Sequence, residues 1–139
     1  MFNLKGKTAI ITGPGYLGRS MAEGLLQQGA NVILFGRGQK IIDLHSELQD
    51  EYRTSKVSYY NVDFYETDKY KSCLEDCVKE NETIDVLVNN SFDFSKSVGF
   101  NCDEGRLENM TKEMFLKGME SGIYWHLLAI QIIGEKMKE

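Results

Sequence analysis

Thr8-Ala9-Ile10-Ile11-Thr12-Gly13-Pro14-Gly15-Tyr16-Leu17-Gly18 is an apolar run that ends in a glycine turn, and the architecture of the chain follows from it. Thr8 to Thr12 is a strand-length run, rich in β-branched residues and without polar alternation, as expected of a strand covered on both faces. It passes into G-x-G-x-x-G, and beyond the last glycine Met21, Leu25 and Leu26 recur at helical spacing within Ser20–Gln28. The order is strand, tight turn, helix, the context in which this glycine pattern carries a mechanism. The first glycine permits the sharp turn, the second lets backbone approach a diphosphate, and the third allows the helix to pack closely on the strand. The unpaired N–H groups and positive dipole end of the helix then face the anion. Gly13, Gly15, Tyr16, Leu17 and Gly18 are therefore the expected cradle of a dinucleotide cofactor. A turn with only a structural task would not need all three glycines.

Outward from this turn the same alternation repeats. Gly29 stops the first helix as a C-terminal cap would, and Asn31–Phe35 reads as a second buried strand. Gln39–Tyr52 gathers Ile41, Ile42, Leu44, His45 and Leu48 on one broad side of a helix. Val57–Val62 is the third strand, Thr67–Glu80 the third helix, and Ile84–Val88 the fourth strand. Four strands alternating with three helices predict an α/β fold, a three-layer sandwich with a parallel sheet between helices. Ser91–Asn109 has neither helical nor strand period and reads as a long loop, and from Thr111 helical spacing resumes to the chain's end. In that last helix Ile123, Trp125, Leu127, Leu128, Ile130, Ile132 and Ile133 point all round the axis, which predicts burial on every side. No repeat, low-complexity tract or interdomain linker breaks the sequence, so residues 1–139 are expected to form one domain.

Composition narrows the function classes. Leu, Ile, Val and Phe fill 37 of 139 positions, enough apolar content for a packed core rather than a disordered chain. Sixteen Lys and Arg stand against 21 Asp and Glu, without any basic block, so nucleic acid and membrane surfaces are not expected partners. The longest apolar stretch, Gly122 to Ile133, is about a dozen residues and contains His126 and Gln131, too short to cross a bilayer. Met1 to Lys7 shows no apolar signal core, and the three cysteines, Cys73, Cys77 and Cys102, are an odd number. Reduced thiols in the cytoplasm are expected. Cys73 and Cys77 share a helix face, but His45 and His126 lie in distant, apolar contexts, so no metal site is expected.

Three landmarks together resemble the short-chain dehydrogenase/reductase family. Leu4 to Gly13 is similar to that family's first strand and its Thr-Gly entry to the nucleotide loop; Val62-Asp63 resembles the acidic position after the third strand; Val86 to Ser91 is similar to the N-N-A-G signature closing the fourth. The resemblance implies a Rossmann-like sheet of strand order 3-2-1-4 and NAD(P)-dependent oxidoreductase activity. It also implies that Asp63 and Phe64 lie at the adenine, that Asn89 ties neighbouring strands, and that Asn90 and Ser91 line the cofactor ribose. The sequence departs from the pattern twice: the glycine loop reaches its last glycine one residue early, and Phe92 stands where the signature has Gly. At the end of the second strand Gly36-Arg37 supplies a guanidinium and no carboxylate, which favours the 2′-phosphate of NADP over NAD.

In that family hydride transfer depends on Ser and a Tyr-x-x-x-Lys pair well beyond the fourth strand. Two such pairs occur, Tyr52 with Lys56 and Tyr65 with Lys69, but both precede the fourth strand and topology puts them at the adenine side. Tyr124 has no Lys four residues on, and the position of the family's relay Asn, counted back from Met137, falls on Gly122 beside Ser121. No catalytic residue is assigned. The expectation is a truncated chain, the nucleotide-binding half of an oxidoreductase, taking a small-molecule substrate only with a C-terminal half. A non-catalytic dinucleotide-binding or interaction module, or a structural fragment with an empty glycine loop, are the alternatives. In either of the first two readings the Thr111–Met137 helix would join a second copy or a partner chain, as it pairs subunits in the family.

Overall fold

The computed structural model describes residues 2–138. Strands β1 (Thr8–Thr12), β2 (Asn31–Gly36), β3 (Val57–Asn61) and β4 (Val86–Asn89) alternate with helices α1 (Tyr16–Gln27), α2 (Gln39–Glu51) and α3 (Thr67–Glu80). They form one parallel sheet of order β3-β2-β1-β4. The expected Rossmann-like order is present. Side chains alternate across each strand, which divides the core into two layers. Ile11, Val32 and Leu34 meet Ala22, Leu26, Ile41, Leu44 and Leu48 beneath α1 and α2. Ile10, Ile33 and Phe35 meet Tyr70, Leu74 and Cys77 of α3, together with Trp125, Leu128, Ala129 and Ile133 of the last helix. Phe35 and Tyr70 are wholly buried, and deleting a ring of this kind costs about 3–5 kcal/mol.

Before the last helix, elements differ from expectation by more than one residue in three places. Helix α1 starts at Tyr16, inside the glycine motif, because Tyr16 and Leu17 are exposed and contribute nothing to the apolar period. Strand β4 covers 86–89 rather than 84–88; Asp85 precedes it, its carboxylate bonded to the Thr8 amide at 2.9 Å and to Lys7 Nζ at 2.7 Å. The loop expected across Ser91–Asn109 contains two short 3₁₀ turns, 96–98 and 103–105.

The last helix is three pieces: α4 (Lys112–Met119), a π turn (Glu120–Tyr124) and α5 (Trp125–Lys136). Thr111 caps α4, its hydroxyl accepting from Met114 N. Glu139, to which the helix was expected to run, lies outside the described residues. The apolar residues expected all round the axis resolve into two faces. Trp125, Leu128, Ala129 and Ile133 are buried against the sheet, whereas Ile123, Leu127 and Ile130 are 53%, 45% and 53% exposed. Among the described residues no helix is long and apolar enough to cross a membrane.

Candidate dinucleotide site

The register aligns the carboxyl ends of the strands. Thr12 stands opposite Phe35 on one side and Asn89 on the other, and Gly36 opposite Asn61. Gly13, Arg37, Asp63, Asn90 and Ser91 thus leave the sheet along one edge. The chain runs from β1 outward to β2 and β3, then returns to β4 on the other side of β1. Ligands of open α/β sheets sit above such a reversal.

The glycine turn is built at van der Waals limits. Gly13 has φ +77°, a conformation that favours glycine, and a β-carbon there would lie 2.7 Å from Cα of Ser91. A β-carbon on Gly18 would lie 2.2 Å from the Gly13 carbonyl oxygen, which already accepts from Asn90 Nδ2 at 2.7 Å. Thr12 Oγ1 accepts from the Asn90 and Ser91 amides at 3.2 and 3.3 Å. The exits of β1 and β4 are therefore laced into one unit. Gly15 behaves differently: nothing lies within 4 Å of where its β-carbon would be. Gly15 is also the N-cap of α1, without a capping side chain, and the first helical bond runs from Arg19 N to Gly15 O. The amides of Tyr16, Leu17 and Gly18 precede that bond, on the helix's positive end. Tyr16 is 93% exposed, and Pro14 packs on Gly36. An open approach to uncapped amides fits a diphosphate.

On the far side of β1, Arg37 Nη1 bonds Asp63 Oδ2 at 2.5 Å, so two of the expected cofactor contacts hold each other. They flank a shallow depression with Asn61, Lys69 and Cys73. Asn61 Oδ1 accepts from the Gly38 amide and fixes the turn that carries Arg37. Phe64, expected beside the adenine, is instead buried with its ring between Tyr70 and Trp125, centroids 4.4 and 5.2 Å away, and does not line this depression. Asn89 has its Oδ1 buried without a hydrogen-bond partner, as has Ser91 its Oγ.

Neither Tyr-x-x-x-Lys pair has the environment of an acid. Tyr52 accepts from Gln27 at the far end of α1, opposite the strand exits. The Tyr65 hydroxyl donates to Asp93 Oδ2 at 2.7 Å; burial and then this carboxylate push its pKa upward. Burial opposes ionisation of Asp93, but the bonds from Tyr65 and Ser95 outweigh it and hold the carboxyl below its ordinary value. Lys69 pairs with Glu66 at 2.5 Å, and Lys117 Nζ, not Lys69, lies over the Tyr65 ring at 4.9 Å.

Sequence reasoning missed two contacts at the exit of β4. His126 Nε2 is 2.7 Å from the Ser91 carbonyl oxygen, and Phe92 covers Gly122, where a β-carbon would lie 3.2 Å from the ring. The departures at Phe92 and Gly122 are thus in contact. A polar residue in an apolar helix was the only signal for His126.

The family model described as short chain dehydrogenase matches residues 7–115. A 12alpha-hydroxysteroid dehydrogenase from a Clostridium species is 34% identical over 127 residues, covering 86% of this chain and 46% of that protein. The crystal structure of L-sorbose reductase from Gluconobacter frateurii, complexed with NADPH and L-sorbose, superposes with TM-score 0.83 at 21% identity, over 99% of this chain and 49% of that one. A 3-oxoacyl (acyl-carrier-protein) reductase from Agrobacterium tumefaciens with NADP bound gives TM-score 0.80 at 22% identity, over 98% of this chain and 49% of that one. At these identities the structural likeness establishes the fold. The chain spans less than half the length of the curated relatives it matches.

Proposed function

This chain belongs to the short chain dehydrogenase family, and we propose that it is the dinucleotide-binding part of an NAD(P)-dependent oxidoreductase. The observation that carries the reading is the contrast within the glycine turn. Gly13 and Gly18 are closed by backbone, whereas Gly15 opens on empty space before the uncapped amides of Tyr16, Leu17 and Gly18. Those amides would hold the diphosphate. Arg37 and Asp63 would meet the adenosine end, the guanidinium exchanging its carboxylate for the 2′-phosphate of NADP, with NAD as the weaker ligand. The backbone of Asn90 and Ser91 would border the nicotinamide ribose. The cofactor supplies hydride donation or acceptance at its nicotinamide ring.

These residues bind and orient; the proton transfer that accompanies hydride movement belongs to groups outside the described site. The misplaced Tyr52 and the Asp93-bound Tyr65 support this division. A small-molecule substrate accordingly requires residues beyond those that form this site. Ile123, Leu127 and Ile130 form an exposed stripe at i, i+4, i+7 on the last helix, and this face would pair with a second copy of the chain. The same stripe favours the second reading, a non-catalytic module that binds dinucleotide and joins a partner. Three unpaired thiols fit a reducing, cytoplasmic setting. The test is titration of the chain with NADPH and NADH, followed by nicotinamide fluorescence. Saturable binding of NADPH, tighter than NADH, is expected; no saturable change with either refutes the reading.

A further inference from the structure

Helix α5 and the exit of β4 are joined at a point to which the cofactor reading gives no task. His126 Nε2 lies 2.7 Å from the Ser91 carbonyl oxygen, and because a carbonyl only accepts, that nitrogen carries the proton. Gly122, one turn earlier on the same helix face, receives the Phe92 ring, where a β-carbon would lie 3.2 Å from Cε2. Two consecutive residues of the strand exit, Ser91 and Phe92, are therefore gripped by two residues four apart on the helix. From the opposite side Ser91 is bounded by Gly13, whose β-carbon would come within 2.7 Å of its Cα, and its amide donates to Thr12 Oγ1. Ser91 is 4% exposed, so a carbonyl there without His126 would be a buried acceptor left unpaired.

The geometry points to His126 as a positioning residue for the nicotinamide half of the site: by holding the Ser91 carbonyl it sets the backbone course of Asn90-Ser91-Phe92. This rests on the cofactor reading above. The adenosine half would be built from Arg37 and Asp63, which leave the sheet at β2 and β3, on the other side of β1 from the β4 exit that His126 holds. The inference therefore predicts an asymmetry that a general packing role would not produce.

The experiment measures Kd of the 139-residue chain for NADPH and for 2′,5′-ADP, with the wild type, His126→Leu and His126→Gln. Leu fills the volume without a donor, and the Gln amide restores one. Wild type is expected to bind both ligands. His126→Leu should weaken NADPH about tenfold and leave 2′,5′-ADP within about twofold, and His126→Gln should recover most of the loss. Equal weakening of both ligands by His126→Leu, no weakening of either, or no recovery with Gln overturns the role of His126 while the cofactor reading stands. Wild type binding neither ligand overturns both. Thermal unfolding of each variant identifies a folding defect, and if His126→Leu does not fold, His126→Ala takes its place, with the same asymmetry expected and the same outcomes overturning it.

Discussion

Gly18 and Gly13 are in such close approach that a single methyl group on Gly18 would sit 2.2 Å from the Gly13 carbonyl oxygen. That oxygen also accepts from Asn90, so the helix, the first strand and the fourth strand meet at one atom. The contrast with Gly15, in front of which nothing lies within 4 Å, separates folding from binding within one motif. Gly18→Ala should overpack this junction and cost about 1–3 kcal/mol, seen as a melting temperature several degrees lower. Gly15→Ala should melt close to wild type, since its φ of −74° suits any residue, but should weaken dinucleotide binding. Equal melting temperatures for wild type and Gly18→Ala would contradict the assignment.

Arg37 is the discriminating residue between cofactors. Its guanidinium side chain is 65% exposed, so its pairing with Asp63 adds little to stability, and Arg37→Ala should unfold at nearly the wild-type temperature. The loss should fall on NADPH, by about ten- to a hundredfold, with NADH affinity little changed. Binding titrations with the two cofactors check this. An equal loss on both would show that Arg37 does not face a 2′-phosphate.

Asp85 ties the start of β1 to β4. The Lys7 ammonium first, and then the Thr8 amide, hold its carboxyl below the ordinary carboxylate value. A folded pKa below the unfolded one stabilises the protein above the unfolded value of about 4, and this contribution is lost as pH falls through the depressed value. Asp85→Asn should therefore lower stability at pH 7 by about 1 kcal/mol. Urea unfolding at pH 7 and at successively lower pH should show wild type and variant converging below pH of about 4. A constant gap would point to lost packing instead of lost charge.

β1 was readable in the sequence to the residue because all five of its positions are buried and nothing interrupts the run. The start of α1 was not, since Tyr16 and Leu17 face solvent and Gly18 is there for closeness, not helix propensity. The last helix showed its period but neither its π turn nor its two faces, because which apolar residues are covered depends on the sheet beneath. The placement of the glycines, Arg37, Asp63 and Asn90 at the strand exits could be read from motif and strand order. The bonds of Tyr65 to Asp93 and of His126 to Ser91 join residues 28 and 35 apart and leave no local pattern. The Arg37–Asp63 pair was hidden differently: both residues were visible, but not their contact.

The exposed stripe on the last helix makes a prediction about assembly. Ile123, Leu127 and Ile130 are already about half covered and would lose their remaining exposure on pairing with a second copy, worth about half of the ~1.5–3 kcal/mol that full burial of such a side chain gives. Light scattering at micromolar concentration should find a dimer or larger species, and Leu127→Glu with Ile130→Glu should give a folded monomer. A monomeric wild type would contradict pairing through this face.

Dinucleotide binding by this chain requires that the amides at the mouth of α1 receive a diphosphate. Backbone amide NMR of the labelled chain, titrated with NADPH, tests it residue by residue. Saturable shifts concentrated at Gly15, Tyr16, Leu17 and Gly18 are predicted, with smaller ones at Arg37 and Ser91. Saturation that leaves those four amides unmoved, or no saturable shift anywhere, would contradict the account.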